Sequence, residues 1–396
     1  MAAKSFSIHG KGLRINTKED IAPLIEQMRA IPGLEEIHLG GNTFGTEACI
    51  VLAEELKRID TLKIADLADI FTGRLISEIP PALKAICDAL TTKTSLVELD
   101  LSDNAFGGRS AEPMVNFLTH NRSFQVLKLN NNGLGVWGGT TVANALLESA
   151  KLSKAERKPS NLRVVVCGRN RLENGSAPHW AEAFAAHGKL RQVRMPQNGI
   201  RMEGIAALAQ GLSKCPDLET LDLQDNTATE SGTRAVAVAL PSWPALRSLN
   251  LSDCLLSPKG GIALATALLK GKNTQLEILR LQYGEFDHRT IDLLAQAIAE
   301  HLSNLTTLEI NGNKADPDDE CIANLRDALE SHGHTNALDE LDDMEESDEE
   351  EESLAVEQAE DEDKGKGQPS APTVSKVIDP ADALADMLGQ VSLKSS

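Results

Sequence analysis

The chain has 396 residues, 41% apolar, 25% charged and only 3% aromatic, so it holds a long folded region but few rings to line a large apolar ligand pocket. The formal net charge of −20 is uneven: residues 339–396 carry 19 acids and 4 bases, which leaves the first 338 residues at −5. A phosphate backbone is repelled at one end and finds no strong attraction elsewhere, which argues against nucleic acid as a partner. MAAKSFSIHGKGLRI at the start has no long apolar segment and no run of 18 apolar residues occurs, so the sequence reads as soluble and intracellular, neither secreted nor membrane-spanning. The six cysteines stand singly, with no C-x-x-C pair and no histidine cluster. They read as reduced core thiols, not as a zinc site or a disulfide framework.

The frame L-x-x-L-x-L-x-x-N-x-L then recurs along the body. SFSIHGKGLRI (5–15) is read as a capping unit, followed by LEEIHLGGNTF (34–44), LKIADLADIFT (62–72), LVELDLSDNAF (96–106), FQVLKLNNNGL (124–134) and LRVVVCGRNRL (162–172). LRQVRMPQNGI (190–200), LETLDLQDNTA (218–228), LRSLNLSDCLL (246–256), LEILRLQYGEF (276–286) and LTTLEINGNKA (305–315) complete the series. Each frame predicts a short strand followed by a helix. No single unit buries its own apolar faces, so the expected fold is an α/β leucine-rich-repeat solenoid of about eleven repeats. Its parallel strands line the concave side of a horseshoe and its helices the convex side. The expected domains are a repeat body over 1–338 and a disordered acidic tail over 339–396.

The frame's asparagine carries a donor and an acceptor that can bond the backbone of adjacent turns. Asn42, Asn104, Asn132, Asn170, Asn198, Asn226 and Asn313 are therefore assigned to a structural ladder. The ladder positions fall at 42, 70, 104, 132, 170, 198, 226, 254, 284 and 313, with anomalous steps of 34 and 38 where 28 to 30 is usual. Helix spacing places six extra residues in the strand-to-helix loop within DIFTGRLISEIPPAL (69–83). Ten more, about 149–160, are placed in a helix-to-strand loop on the opposite rim.

The enzyme screen is negative: no P-loop, nucleophile elbow, H-E-x-x-H or kinase signature set occurs, and no metal-ligand spacing is found. Arg74 lies in the first insertion beside Gly73. It reads either as an ordinary solvated loop arginine or as a charged, planar donor for a partner's phosphates. The residue before each ladder position, Asp69, Asp103, Asn131, Arg169, Gln197 and Asp225, is expected to project from the same rim. Residues 339–363 contain 16 acids and no Lys or Arg, a composition that stays unfolded and solvating. Leu384, Leu388, Val391 and Leu393 resemble an export signal, or read as a short amphipathic helix.

The strings GGNTFGTEA (40–48), DIFTGR with EIP (69–74 and 78–80), LSDNAFG (101–107), NNGLG (131–135), CGRNRLENGS (167–176), QNGI (197–200), LQDNT (223–227), LRLQY (279–283) and LDELDDMEE (338–346) resemble the Ran GTPase-activating proteins in their short fungal-type form. The resemblance implies binding of Ran-GTP through the repeat rim and concave face, with hydrolysis stimulated on Ran's own active site. It makes Arg74, as the arginine of the FTGR loop, and Asn131, near the GTPase's water-orienting glutamine, the residues required for activity. It extends the contact to Asp225, Arg169 and Gly73. It further implies a cytoplasmic monomer acting near the nuclear envelope, Ran-GTP as partner with or without a Ran-binding protein, and no metal or cofactor of its own, since GTP and Mg²⁺ come with Ran. Two mechanisms stay open: Arg74 entering the GTPase site as a finger, or Asn131 fixing the glutamine while Arg74 supports the interface. The second is preferred, because an asparagine on a packed strand edge is more rigid than a loop arginine. The competing class is a non-catalytic scaffold similar to ribonuclease inhibitor, whose repeats are cysteine-rich where these are not.

Overall fold

A computed structural model describes residues 4–345. Eleven parallel strands form one sheet in strict chain order, from Ser5–Ser7 to Thr307–Glu309, each hydrogen-bonded to the strands of the neighbouring repeats. Every frame supplies one strand, and the register keeps frame positions side by side: Leu99 pairs with Leu127, Leu127 with Val165 and Leu221 with Leu249. The middle residue of each strand is buried and its neighbours lie on the open sheet face, as period-two alternation requires. Helices fill the other side and pack on their neighbours in sequence, so one core runs from Phe6 to Leu341. The 5–15 segment is a full first repeat, for its strand is followed by the helix Lys18–Arg29, opened by a Thr17–Asp20 capping box.

The ladder is built from side-chain amides. Asn104 Oδ1 accepts from the N–H of Ile70 at 2.8 Å, while its Nδ2 donates to the carbonyls of Leu67 and Leu101 at 3.0 and 2.9 Å. Asn132, Asn170, Asn198 and Asn226 each accept from the backbone N–H of the preceding ladder asparagine, at 2.9 to 3.2 Å. Asn42 and Asn313 make equivalent bonds, to Leu13 N–H and to Gly284 N–H. Cys254 takes the donor role in its repeat, its thiol reaching Leu223 O at 3.3 Å.

A second set of bonds closes the opposite edge, and the sequence reading missed it. Asn121 donates to Leu90 O at 2.8 Å, Trp243 Nε1 to Leu212 O at 2.9 Å and Asn273 to Leu240 O at 2.9 Å. Each of these carbonyls lies at a helix C-terminus of the preceding repeat, where the last helical carbonyls lack intrahelical partners. His187 also reaches back to the preceding repeat, bonding Leu146 O at 3.0 Å in the middle of the helix Gly135–Ala155, and accepts from the Ser160 hydroxyl through Nδ1.

Two sequence expectations are corrected. Residues 149–155 are not loop: they are the last turns of a 21-residue helix, Gly135–Ala155, with Ser149, Ala150 and Ser153 buried. SAKLSKA is made largely of tolerated helix formers, and the helix stops only at Glu156, before left-handed Arg157 and Pro159. The body also runs past 338. Asp339 N–H donates to Leu308 O at 3.0 Å, its carboxylate accepts from the N–H of Ile310 at 2.9 Å, and Leu341 is buried. The first acidic residues thus cover the open end of the last repeat, because a strand edge and an apolar face need a partner there. The rest of the acidic tail and the leucine pattern at 384–393 lie outside the described residues.

Candidate functional site

The residue preceding each ladder position has left-handed backbone. Asp69, Asp103, Asn131, Arg169, Gln197 and Asp225 have φ between 48° and 60°, and Asp253 and Tyr283 continue the row with 57° and 52°. Their N–H groups bond the next repeat's backbone: Asp103 to Asn130 O at 2.8 Å, Asn131 to Gly168 O at 2.9 Å, Arg169 to Pro196 O at 2.9 Å and Asp225 to Ser252 O at 3.0 Å. This backbone ladder holds a row of side chains at fixed spacing along the strand C-terminal rim, exposed in every case but the half-buried Asp69. Asn and Asp tolerate the left-handed region better than most residues, which explains their frequency in the row. Asp253 and Tyr283 lie beyond the row expected from sequence, which ends at Asp225. The position before 254 and 284 would have supplied the other two.

Within the row, Asn131 Nδ2 donates to Asp103 Oδ1 at 2.9 Å. Arg169 and Asp225 are exposed farther along. Asp225, Gln197, Asp253, Arg171 and Leu255 line an open groove of about 470 Å³.

The inserted loop, residues 71–78, hangs from the same rim. Phe71 is buried and anchors it, and Gly73 turns it with φ 79° and open space beside its Cα. Arg74 does not extend into solvent. It is half-buried, its Nε donating to Thr43 Oγ1 and its Nη2 to Thr43 O, each at 2.9 Å. Thr43 lies in the short strand Thr43–Phe44 of the second repeat, paired with Arg14–Ile15, and is not legible from sequence, because nothing in spacing shows which way a loop folds back. Beyond Arg74, Leu75 and Ile76 are 69% and 63% exposed, and Trp137 is 54% exposed. Ile76 and Trp137 flank the bare backbone of Gly107 and Gly108, so an apolar strip adjoins the polar rim.

The sheet face is charged. Lys128 pairs with Glu98 and lies 3.7 Å from Asp100, and His38 Nδ1 lies 3.2 Å from Asp66. Burial pushes the carboxyls of Asp100 and Asp222 above the usual range. Nothing here forms a nucleophile and base. Among the described residues no group of three or more His, Cys, Asp or Glu side chains could hold a metal, and no helix is long and apolar enough to cross a membrane. All six cysteines are buried, and burial raises the thiols of Cys49, Cys87, Cys167 and Cys254 to about 12, so they stay protonated and unreactive. The rim carries oriented amide, guanidinium and carboxylate groups on a fixed backbone.

Comparison with known proteins matches the leucine-rich-repeat family at residues 92–115 and 244–265. The Ran GTPase-activating protein 1 of Saccharomyces cerevisiae is 36% identical over 326 residues, 80% of each chain. The Xenopus laevis Ran GTPase-activating protein 1 is 47% identical over 197 residues, which span 49% of this chain and 34% of the frog protein. The ribonuclease inhibitor of Sus scrofa is 29% identical over 189 residues, 47% of this chain and 38% of the inhibitor.

Proposed function

The chain belongs to the Ran GTPase-activating protein family, and we propose that it stimulates GTP hydrolysis on Ran's own active site through Asn131, with Arg74 in a supporting role. It is a GTPase activator for Ran. A small GTPase brings its own phosphate-binding loop, Mg²⁺ and glutamine, so an activator needs only to position groups or add charge, an effect worth roughly 10³–10⁵ in rate. That requirement agrees with a rim that carries oriented polar groups.

The observation that carries the assignment of roles is the fate of the Arg74 guanidinium. Its Nε and Nη2 are both given to Thr43, two of the five N–H donors of a guanidinium, which suits a strut that holds the inserted loop in shape. Asn131, by contrast, is exposed on a backbone fixed by the Gly168 carbonyl. A group that must orient a glutamine and its water gains from such rigidity. Arg169, Asp225 and Gly73, together with the strip of Leu75, Ile76 and Trp137, complete the docking surface. The partner is Ran-GTP, alone or with a Ran-binding protein. The protein acts as a cytoplasmic monomer near the nuclear envelope, without nucleic acid, membrane or a cofactor of its own.

Single-turnover GTP hydrolysis by purified Ran, with and without this protein, tests the reading. Acceleration by orders of magnitude is the expected result. Tight binding of Ran-GTP with an unchanged rate would instead favour a scaffold of the ribonuclease-inhibitor kind.

A further inference from the structure

The Asn131 side chain makes one hydrogen bond that fixes its direction, from Nδ2 to Asp103 Oδ1 at 2.9 Å. Both residues are left-handed, φ 60° at Asp103 and 53° at Asn131, and both N–H groups are held by the next repeat, at Asn130 O and Gly168 O. The two side chains therefore stand on a stiff backbone one repeat apart. An ionised carboxylate only accepts hydrogen bonds, whereas a carboxamide has a donor end and an acceptor end. Asp103 selects the amino end of Asn131 and turns its carbonyl oxygen away.

Resting on the reading that Asn131 meets the partner's glutamine, we propose that Asp103 is a positioning residue that sets the polarity of that contact. With Asn131 Oδ1 presented, the glutamine must offer its own NH₂ group to it. The glutamine carbonyl then remains to accept a proton of the attacking water, leaving the water's lone pair aimed at the phosphoryl group. A reversed Asn131 would consume the glutamine carbonyl and leave an NH₂ donor against the water, which ties up the nucleophilic lone pair. Asp103 takes part in no covalent step and transfers no proton; through its hydrogen bond it decides which end of an amide faces outward.

Asp103→Gly tests this, because glycine accepts the left-handed backbone while deleting the carboxylate. Asp103→Asn is the rescue variant, since its carbonyl oxygen still accepts. The measurements are the single-turnover rate of saturated Ran-GTP complex, the affinity for Ran bound to a non-hydrolysable GTP analogue, and the thermal midpoint. Asp103→Gly is expected to lower the rate by about tenfold, the scale of one hydrogen bond to a charged group, with affinity and thermal midpoint held. Asp103→Asn should restore part of the rate. In an Asn131→Ala background, Asp103→Gly should add nothing, because its effect passes through that side chain. If Asn131→Ala slows hydrolysis but Asp103→Gly does not, or if the two effects multiply, the role of Asp103 is overturned while that of Asn131 stands. If Asn131→Ala leaves the rate unchanged, both readings fall.

Discussion

The Arg74 guanidinium grips Thr43 through two donors, Nε to the hydroxyl and Nη2 to the carbonyl oxygen, each at 2.9 Å. An arginine of the third repeat thereby clamps its own inserted loop onto the short strand Thr43–Phe44 of the second. If this clamp is what Arg74 contributes, then Thr43→Ala, which leaves the guanidinium present but removes one acceptor, should reproduce part of the Arg74→Ala defect in Ran affinity and rate. Arg74→Lys keeps the charge without the planar fork and should behave like Arg74→Ala. A Thr43→Ala protein with full activity, alongside an Arg74→Ala rate loss of about 10³ at unchanged affinity, is the pattern of an arginine finger and would reverse the assignment.

The ladder amides should dominate local stability. Asn170 Oδ1 serves the buried N–H of Asn132 at 3.0 Å and its Nδ2 serves Leu129 O and Gly168 O at 2.8 and 2.9 Å. Asn170→Ala orphans these groups and should cost about 3 kcal/mol, read as a fall in urea midpoint at constant slope. Asn170→Cys should cost less, since the Cys254 thiol already serves a ladder carbonyl.

Truncation separates the cap from the rest of the tail. Ending the chain after Ala337 removes the bonds of Asp339 to Leu308 and Ile310 and of Glu345 N–H to Asn313 O, and uncovers the surface beneath Leu341. A loss of about 2–4 kcal/mol is expected from the orphaned backbone groups and exposed apolar area. Ending after Ser347 should leave the thermal transition where it was. Equal midpoints for the two truncations would show that residues 338–345 add nothing.

Acid should loosen the repeat that carries the long helix. Burial, opposed in part by the bond to Leu146 O, lowers the His187 pKa to about 4 from an ordinary 6.5. The folded state thus favours the neutral ring: this contribution is complete above pH 6.5 and is lost as pH falls toward 4. The full loss is about 3 kcal/mol at 1.36 kcal/mol per unit. His187→Gln should be less stable than the parent at pH 7, with a difference that shrinks steadily between pH 6.5 and pH 4.5 in urea titrations. A constant difference across that range would show that the ring does not titrate with unfolding.

Strand positions, their order and the asparagine ladder were legible in the sequence because each depends on a local pattern repeated with little change. Leu99, Leu127 and Val165 need only the frame to be placed, and a parallel stack of identical units leaves one register that buries them all. Resemblance supplied the partner and marked Arg74 and Asn131, which spacing alone could place on a rim but not give a role. Three matters waited for the tertiary structure. Residues 149–155 continue a helix, whose small residues Ser149, Ala150 and Ser153 are buried. Asp339 and Leu341 join the fold because an exposed strand edge accepts whatever backbone follows it, however acidic its sequence. The Arg74–Thr43 clamp and the Asn131–Asp103 bond join residues 31 and 28 positions apart, and only the stacking of repeats brings such pairs within reach. A period fixes where each side chain sits along the solenoid, while the direction it takes there is decided by the neighbour across the gap.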